Sequence, residues 1–246
     1  MNEQFVKIPN LPDGSVTLAA AGDYPDIIKA LNKEGICTVS FEGKPLPEET
    51  AKHTDMLICH TGGQYIFAEP SIATNELEKA GFIIRKSAPI QSEYPFDVKL
   101  NIAVGKSFFI CNPKTADSLL LDELTLSQKQ QIVTKQGYSK CSVCFVTENA
   151  VITEDISVFR ALQKTQTDVL LISKGDIFLS DTHEGFFGGS SGKIDKNTLA
   201  VTGELRYHRD CDIILRFCEK HSVQIKELTK GRITDIGGII PLKQLV

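Results

Sequence analysis

Polar and titratable residues of this 246-residue chain recur at a two-residue spacing inside runs that are otherwise apolar. His53 and Asp55 form one pair, Asp97, Lys99 and Asn101 a second group, and Lys193 and Asp195 a third. Residues i and i+2 of an extended strand face the same way, so each group would present its side chains together. Three carboxylates, two ammonium groups, an amide and an imidazole around one centre would suit a small ligand of both charge signs, such as an amino acid or a guanidino acid. Asp55, Asp97 and Asp195 would then face its cation, and Lys99 and Lys193 its carboxylate. The alternative is that these charges pair with one another and plug the interior, because buried ion pairs are often structural.

Lys140-Cys141-Ser142-Val143-Cys144 sets two thiols beside an ammonium group. On a strand Lys140, Ser142 and Cys144 share a face, and a nearby ammonium lowers a thiol's pKa. Cys144 is therefore the first candidate nucleophile and Cys141 the second, against the commoner fate of a buried, inert cysteine. No metal site is expected, since i and i+3 thiols on a strand point to opposite faces and no second cysteine pair completes the set. No cofactor is expected either. The segment from Asp181 to Gly192 holds four glycines, which permit unusual backbone angles and close approach to a ligand. It reads as a pocket-covering loop with His183 or Glu184 dipping inward, or as a plain connection. It is not a phosphate loop, because Ile194 stands where Ser or Thr must hold the metal.

The elements that would position these groups come from a repeat. A short apolar strand meets a small or acidic residue, a helix follows, and a second apolar strand ends the unit. Strand-to-helix corners fall near positions 22, 69, 112, 153 and 202, about every 45 residues. The helices are expected at 25–31, 75–79, from 113 to 134, at 158–164 and at 210–220. Ahead of each later corner lies another apolar run and a turn, as in His60-Thr61-Gly62-Gly63 or Gly105-Lys106, which is hairpin chemistry. Each unit is thus strand, strand, helix, strand. The first unit lacks its opening strand, and the chain ends on an unpartnered one, Gly238 to Leu242. Exposed sheet edges are a liability that closure removes. One domain spanning 1–246 is expected: an α/β propeller of five units around a pseudo-fivefold axis, closed by the C-terminal strand pairing with the N-terminal unit. An open α/β sheet is the alternative.

This architecture resembles the pentein, or guanidino-group-modifying enzyme, superfamily, and within it an uncharacterised bacterial branch. His53-Thr54-Asp55-Met56, Gly192-Lys193-Ile194-Asp195 and Asp235-Ile236-Gly237-Gly238-Ile239 are the local motifs that support it. The resemblance implies enzymes that attack a guanidinium carbon with a cysteine, use a histidine as acid and base, and clamp the substrate with carboxylates. Where the superfamily's cysteine and histidine are expected, this chain carries Pro241 and Lys193, neither of which can serve. Three functions stay open: a divergent protein whose central pocket binds a small charged ligand, a hydrolase or amidinotransferase acting on a guanidino compound through a relocated cysteine, and a protein-binding pentein similar to translation initiation factor six.

Composition narrows the setting. The formal charge is −4, which argues against a nucleic-acid surface, since phosphate neutralisation needs a basic stripe. No apolar run approaches the roughly 20 residues of a membrane helix. Seven scattered cysteines and the absence of a signal-like N-terminus point to a reduced cytoplasmic setting.

Overall fold

The computed structural model describes residues 2–246. The chain opens with β1 (Glu3–Phe5), β2 (Ser15–Ala21), α1 (Pro25–Lys33) and β3 (Cys37–Val39). A second unit follows, with the short helix α2 (Thr54–Leu57), β4 (Ile58–Gly62), β5 (Tyr65–Ala68), α3 (Asn75–Lys79) and β6 (Ile83–Lys86). The third is β7 (Ala103–Val104), β8 (Phe108–Cys111), α4 (Ser118–Leu126) and β9 (Gln130–Val133). The fourth is β10 (Cys144–Thr147), β11 (Ala150–Thr153), α5 (Ile156–Leu162) and β12 (Asp168–Leu171). The fifth is β13 (Ser191–Asp195), β14 (Thr198–Val201), α6 (Cys211–Lys220) and β15 (Gln224–Glu227), and β16 (Ile239–Leu245) ends the chain.

These strands form five small sheets. In the four later units the first two strands are an antiparallel hairpin, and the third runs parallel to the second after a helical crossover. The middle strands, such as Ile66-Phe67-Ala68 and Leu199-Ala200-Val201, are buried, which is why they read as unbroken apolar runs. Helix α1 shows how the outer layer forms. Pro25 opens it, Ile27 and Leu31 are its buried residues four apart, and Lys33 lies in the last turn, where a cation suits the helix dipole. Asp155 caps α5 by accepting from the backbone of Ser157 and Val158. The C-terminal strand β16 returns to the first sheet, pairing with β2 through Ile239↔Ala21 and Ile240↔Ala20.

Three expectations need correction. Residues 113–134 are not one helix: α4 stops at Leu126, Gln128 adopts a left-handed φ of 60°, and Gln130–Val133 form a strand with Ile132 buried. The first sheet also carries a strand absent from the sequence reading, because Glu3–Phe5 pairs with the outer edge of β16. Finally, β4, β7 and β10 begin later than the apolar runs ahead of their corners do, whereas β13 begins earlier than expected, at Ser191. His53, Asp97, Lys99, Asn101, Lys140 and Cys141 all precede the strands, and Asp55 lies in α2. Strand alternation therefore does not govern where these side chains point.

Candidate functional site

The segments just before β4, β7, β10 and β16 are where the polar side chains meet. His53 and Asp55 come from the turn into β4, Asn101 from the one into β7, Cys141 from the one into β10, and Asp235 from the one into β16. All five residues are buried. The Cys141 thiol donates to Asp55 Oδ2 at 3.1 Å, and Asn101 Nδ2 lies 3.0 Å from the same sulfur. Asn101 Oδ1 fixes the Cys141 segment by accepting from the backbone N–H of Lys140 at 2.7 Å and of Cys141 at 3.2 Å. On the other side His53 Nδ1 lies 3.7 Å from Asp235 Oδ1. The Asp235 carboxylate accepts from the backbone of Phe186 at 2.8 Å and of Gly237 at 3.0 Å.

Two glycines make this convergence possible. Gly237 has a φ of 76°, and a Cβ there would sit 2.4 Å from His53 Cα. Its carbonyl accepts from the backbone N–H of Asp55 at 3.1 Å, tying the first sheet to the His53 turn. A Cβ on Gly189 would lie 2.1 Å from Asp235 Oδ1. In the glycine-rich segment it is close approach, not left-handed backbone, that glycine supplies: none of Gly185, Gly188, Gly189 and Gly192 is among the positive-φ glycines.

Burial dominates the electrostatics of the group. Burial, followed by the Asp55 and Asp235 carboxylates, holds the Cys141 thiol well above its ordinary pKa. Burial also raises the Asp235 carboxyl; Asp55 adds to this and His53 opposes it. His53 Nε2 and Asp55 Oδ1 are buried without a hydrogen-bond partner, a costly condition that a ligand carrying donors and acceptors would relieve. A cavity of about 200 Å³ opens onto this group, lined by His53, Met56, Cys141 and Asp235 with Tyr138, Phe186 and Leu179 as apolar walls, and by Glu49, Thr50, His183 and Glu184. The Tyr138 ring is stacked between Tyr94 and Phe186, with centroids 5.9 and 6.0 Å away. Its hydroxyl donates to Asp97 Oδ2 at 2.7 Å. No group of three or more His, Cys, Asp or Glu among the described residues is placed to hold a metal ion.

The residues expected at a common centre divide accordingly. His53, Asp55 and Asn101 are brought together, and Glu184 lines the same cavity. Asp97 stands behind Tyr138 and not on the cavity. Lys99 turns away, donating to the Pro89 carbonyl at 2.6 Å. Lys193 reaches the Lys196 carbonyl at 2.7 Å and that of Val146 at 3.3 Å, at the hairpin turns. Asp195 accepts from Ser15 Oγ at 2.9 Å. The ammonium half of the expected set is therefore missing from the cavity, because β13 points Lys193 at backbone carbonyls. Of the two cysteines, Cys141 lines the cavity, whereas Cys144 packs into the apolar core with Val146, Ile152 and Phe187, and burial raises its pKa to about 11. Asp235 is a site residue that sequence reasoning missed. The signal for it was its position just before the closing strand β16, which pairs antiparallel with β2, as His53 and Asp55 stand just before β4.

The sequence profile of a family of unknown function (DUF6873) matches residues 21–240, and the chain belongs to that family. No curated protein matches. Solved structures of the pentein superfamily do. An agmatine deiminase from C. jejuni superposes with a TM-score of 0.55 at 11% identity, over 93% of this chain and 91% of that one. An inosamine-phosphate amidinotransferase from Streptomyces griseus gives 0.53 at 12%, over 89% and 90%. An agmatine deiminase of Enterococcus faecalis gives 0.52 at 10%, over 95% and 96%. The likeness establishes a pentein-type mixed α/β fold of small sheets. No helix among the described residues is long and apolar enough to cross a membrane.

Proposed function

We propose that this member of the DUF6873 family is a cysteine-dependent enzyme that binds a small guanidinium or amidinium cation and cleaves one of its C–N bonds, with Cys141 as nucleophile. The observation that carries this is the meeting of a thiol, an imidazole and two carboxylates from three separate turns: Cys141, His53 and Asp235 line one cavity, and Asp55 stands behind Cys141, accepting its S–H. The pentein relatives, which include agmatine deiminases and an amidinotransferase, give the same direction. The histidine and cysteine expected at Lys193 and Pro241 are supplied by His53 and Cys141. A closed ring of five units around a pseudo-fivefold axis is part of this proposal; the pairing of β16 with β2 supports it.

The chemistry follows from the charges. A planar cation places its N–H donors on Asp235, which lines the cavity, and offsets the negative field of Asp55 and Asp235 that keeps the thiol protonated. Asp55 Oδ2, already accepting the S–H, takes the proton, and the sulfur adds to the central carbon. A C–N bond breaks as the departing amine takes a proton from the His53 imidazolium, which Asp235 supports. Water then adds to the carbon while His53 accepts its proton. The C–S bond breaks, the Asp55 proton returns to sulfur, and the remaining O–H proton leaves with the amine as ammonium. An amine acceptor in place of water would make the reaction an amidino transfer.

The test is release of ammonia from agmatine and alkylguanidines, with acid quenching and mass analysis of the protein. A covalent adduct on Cys141, and turnover lost in Cys141→Ala but kept in Cys144→Ala, is the expected result. Turnover that survives Cys141→Ala, or no turnover and no adduct with any of these cations, overturns the reading.

A further inference from the structure

We infer that the site selects cations whose far end is neutral or positive and rejects those ending in a carboxylate, with Glu49 as the specificity-determining residue. This rests on the cation reading above and adds to it what lies beyond the reacting group.

The inner end of the cavity is marked for a ligand by the unpartnered Nε2 of His53, a lining residue only 2% exposed, with the unpartnered Asp55 Oδ1 buried behind the lining. A volume of about 200 Å³ corresponds to about seven water volumes. That holds a guanidinium group and a short tail, and so the tail's end emerges at the partly exposed side chains of Glu49 and His183. There the lining offers Glu49 and Glu184 and neither lysine nor arginine. Nearby cations have other partners; Arg232, which lines an adjoining cavity with His183 and Glu184, lies over the Phe178 ring, 5.1 Å from its centroid. Arg209 grips Asp176 through Nε at 2.8 Å and Nη2 at 2.9 Å. Lys52 lies 3.8 Å from Asp23. The Lys140 ammonium is buried against the Gly188 carbonyl at 3.4 Å.

Glu49 is the fixed charge at this mouth. His183 Nδ1 holds it at 3.1 Å, and hydrogen bonding from Ser180 and His183 keeps its carboxyl below the usual range. A ligand carboxylate would meet a like charge there with no lysine or arginine to replace its water, a juxtaposition that rejects wrong partners. An amine at the same place would meet an acceptor.

Agmatine and arginine differ by that one carboxylate and are the probes, with methylguanidine as the reacting group alone. Binding to the full-length protein is measured by protection of Cys141 from iodoacetamide, read by mass. Methylguanidine protects, and agmatine protects at a concentration at least about tenfold lower than arginine, a difference of about 1.4 kcal/mol. Glu49→Gln narrows the ratio, and Glu49→Lys removes or inverts it. If methylguanidine protects but arginine matches agmatine, or if the ratio is unchanged in both variants, the selectivity inference is overturned while the cation reading stands. If none of the three cations protects Cys141, both fall together.

Discussion

Replacing Glu154 by glutamine tests the electrostatic reasoning at a single buried group beside the site. Glu154 is 5% exposed; its Oε1 accepts from the backbone N–H of Phe187 at 3.1 Å, and its Oε2 has no partner. Burial raises its carboxyl to about 8 from an ordinary value of 4.5. Between these two values the folded protein holds a proton that the unfolded chain has released, so stability falls as pH rises. The full contribution is present below pH 4.5 and is lost by pH 8. At about 1.4 kcal/mol per pKa unit, the loss is about 5 kcal/mol, a third or more of an ordinary domain's stability. The glutamine side chain of Glu154→Gln would keep the acceptor for Phe187 and carry no proton to lose. His60 works in the opposite sense, because burial lowers its pKa to about 4 and stability rises as pH climbs from 4 to 6.5, but it contributes equally to both proteins and cancels in their difference. The assay is urea unfolding of the two proteins from pH 5 to pH 9, followed by far-UV circular dichroism, since the chain has no tryptophan. The two should be similar near pH 5, with Glu154→Gln more stable by several kcal/mol near pH 8.5. Parallel curves across that range would refute the argument that this carboxyl is held neutral by burial.

Two further substitutions probe backbone geometry and the misplaced lysine. Gly237→Ala should destabilise the protein by about 1–3 kcal/mol and lower Tm by several degrees, because it combines a left-handed φ with a contact into the His53 backbone; an unchanged Tm would show that the turn accommodates a side chain. Burial lowers Lys193 to about 8 from 10.5, so the unfolded chain binds the extra proton between those values and stability rises with pH there. Wild type should therefore gain about 3 kcal/mol relative to Lys193→Met from pH 8 to pH 10.5, and a constant difference between the two unfolding curves would contradict this.

The repeat was legible because buried middle strands must be apolar, whatever their neighbours are. Gln64 to Ala68, Ala150 to Thr153 and Leu199 to Thr202 stand out for that reason, and the hairpin and crossover around each follow from turn chemistry and chain length. What misled was the assumption that an apolar run and its strand begin together. Val98 to Val104 reads as one strand, yet only Ala103 and Val104 pair, because Leu100 and Ile102 are buried by packing around a turn and not by a ladder. An apolar residue reports burial, not backbone conformation.

His53, Asp55 and Asn101 could be picked from sequence as polar residues set in apolar surroundings, where only a partner or a ligand explains them. Spacing also determined the repeat length, and the motifs at His53, Lys193 and Asp235 carried the family resemblance. Which thiol faces the cavity was beyond local reasoning: Cys141 and Cys144 are three residues apart, and Asn101 Oδ1, gripping two backbone N–H groups 39 and 40 residues away, turns one inward while β10 carries the other into the core. Likewise, Asp235 joins His53 only because Gly237 has no side chain to keep the first sheet and the His53 turn apart. Sequence pattern carries information about burial at each position, whereas the meeting of side chains from distant units depends on backbone contacts that no local pattern encodes.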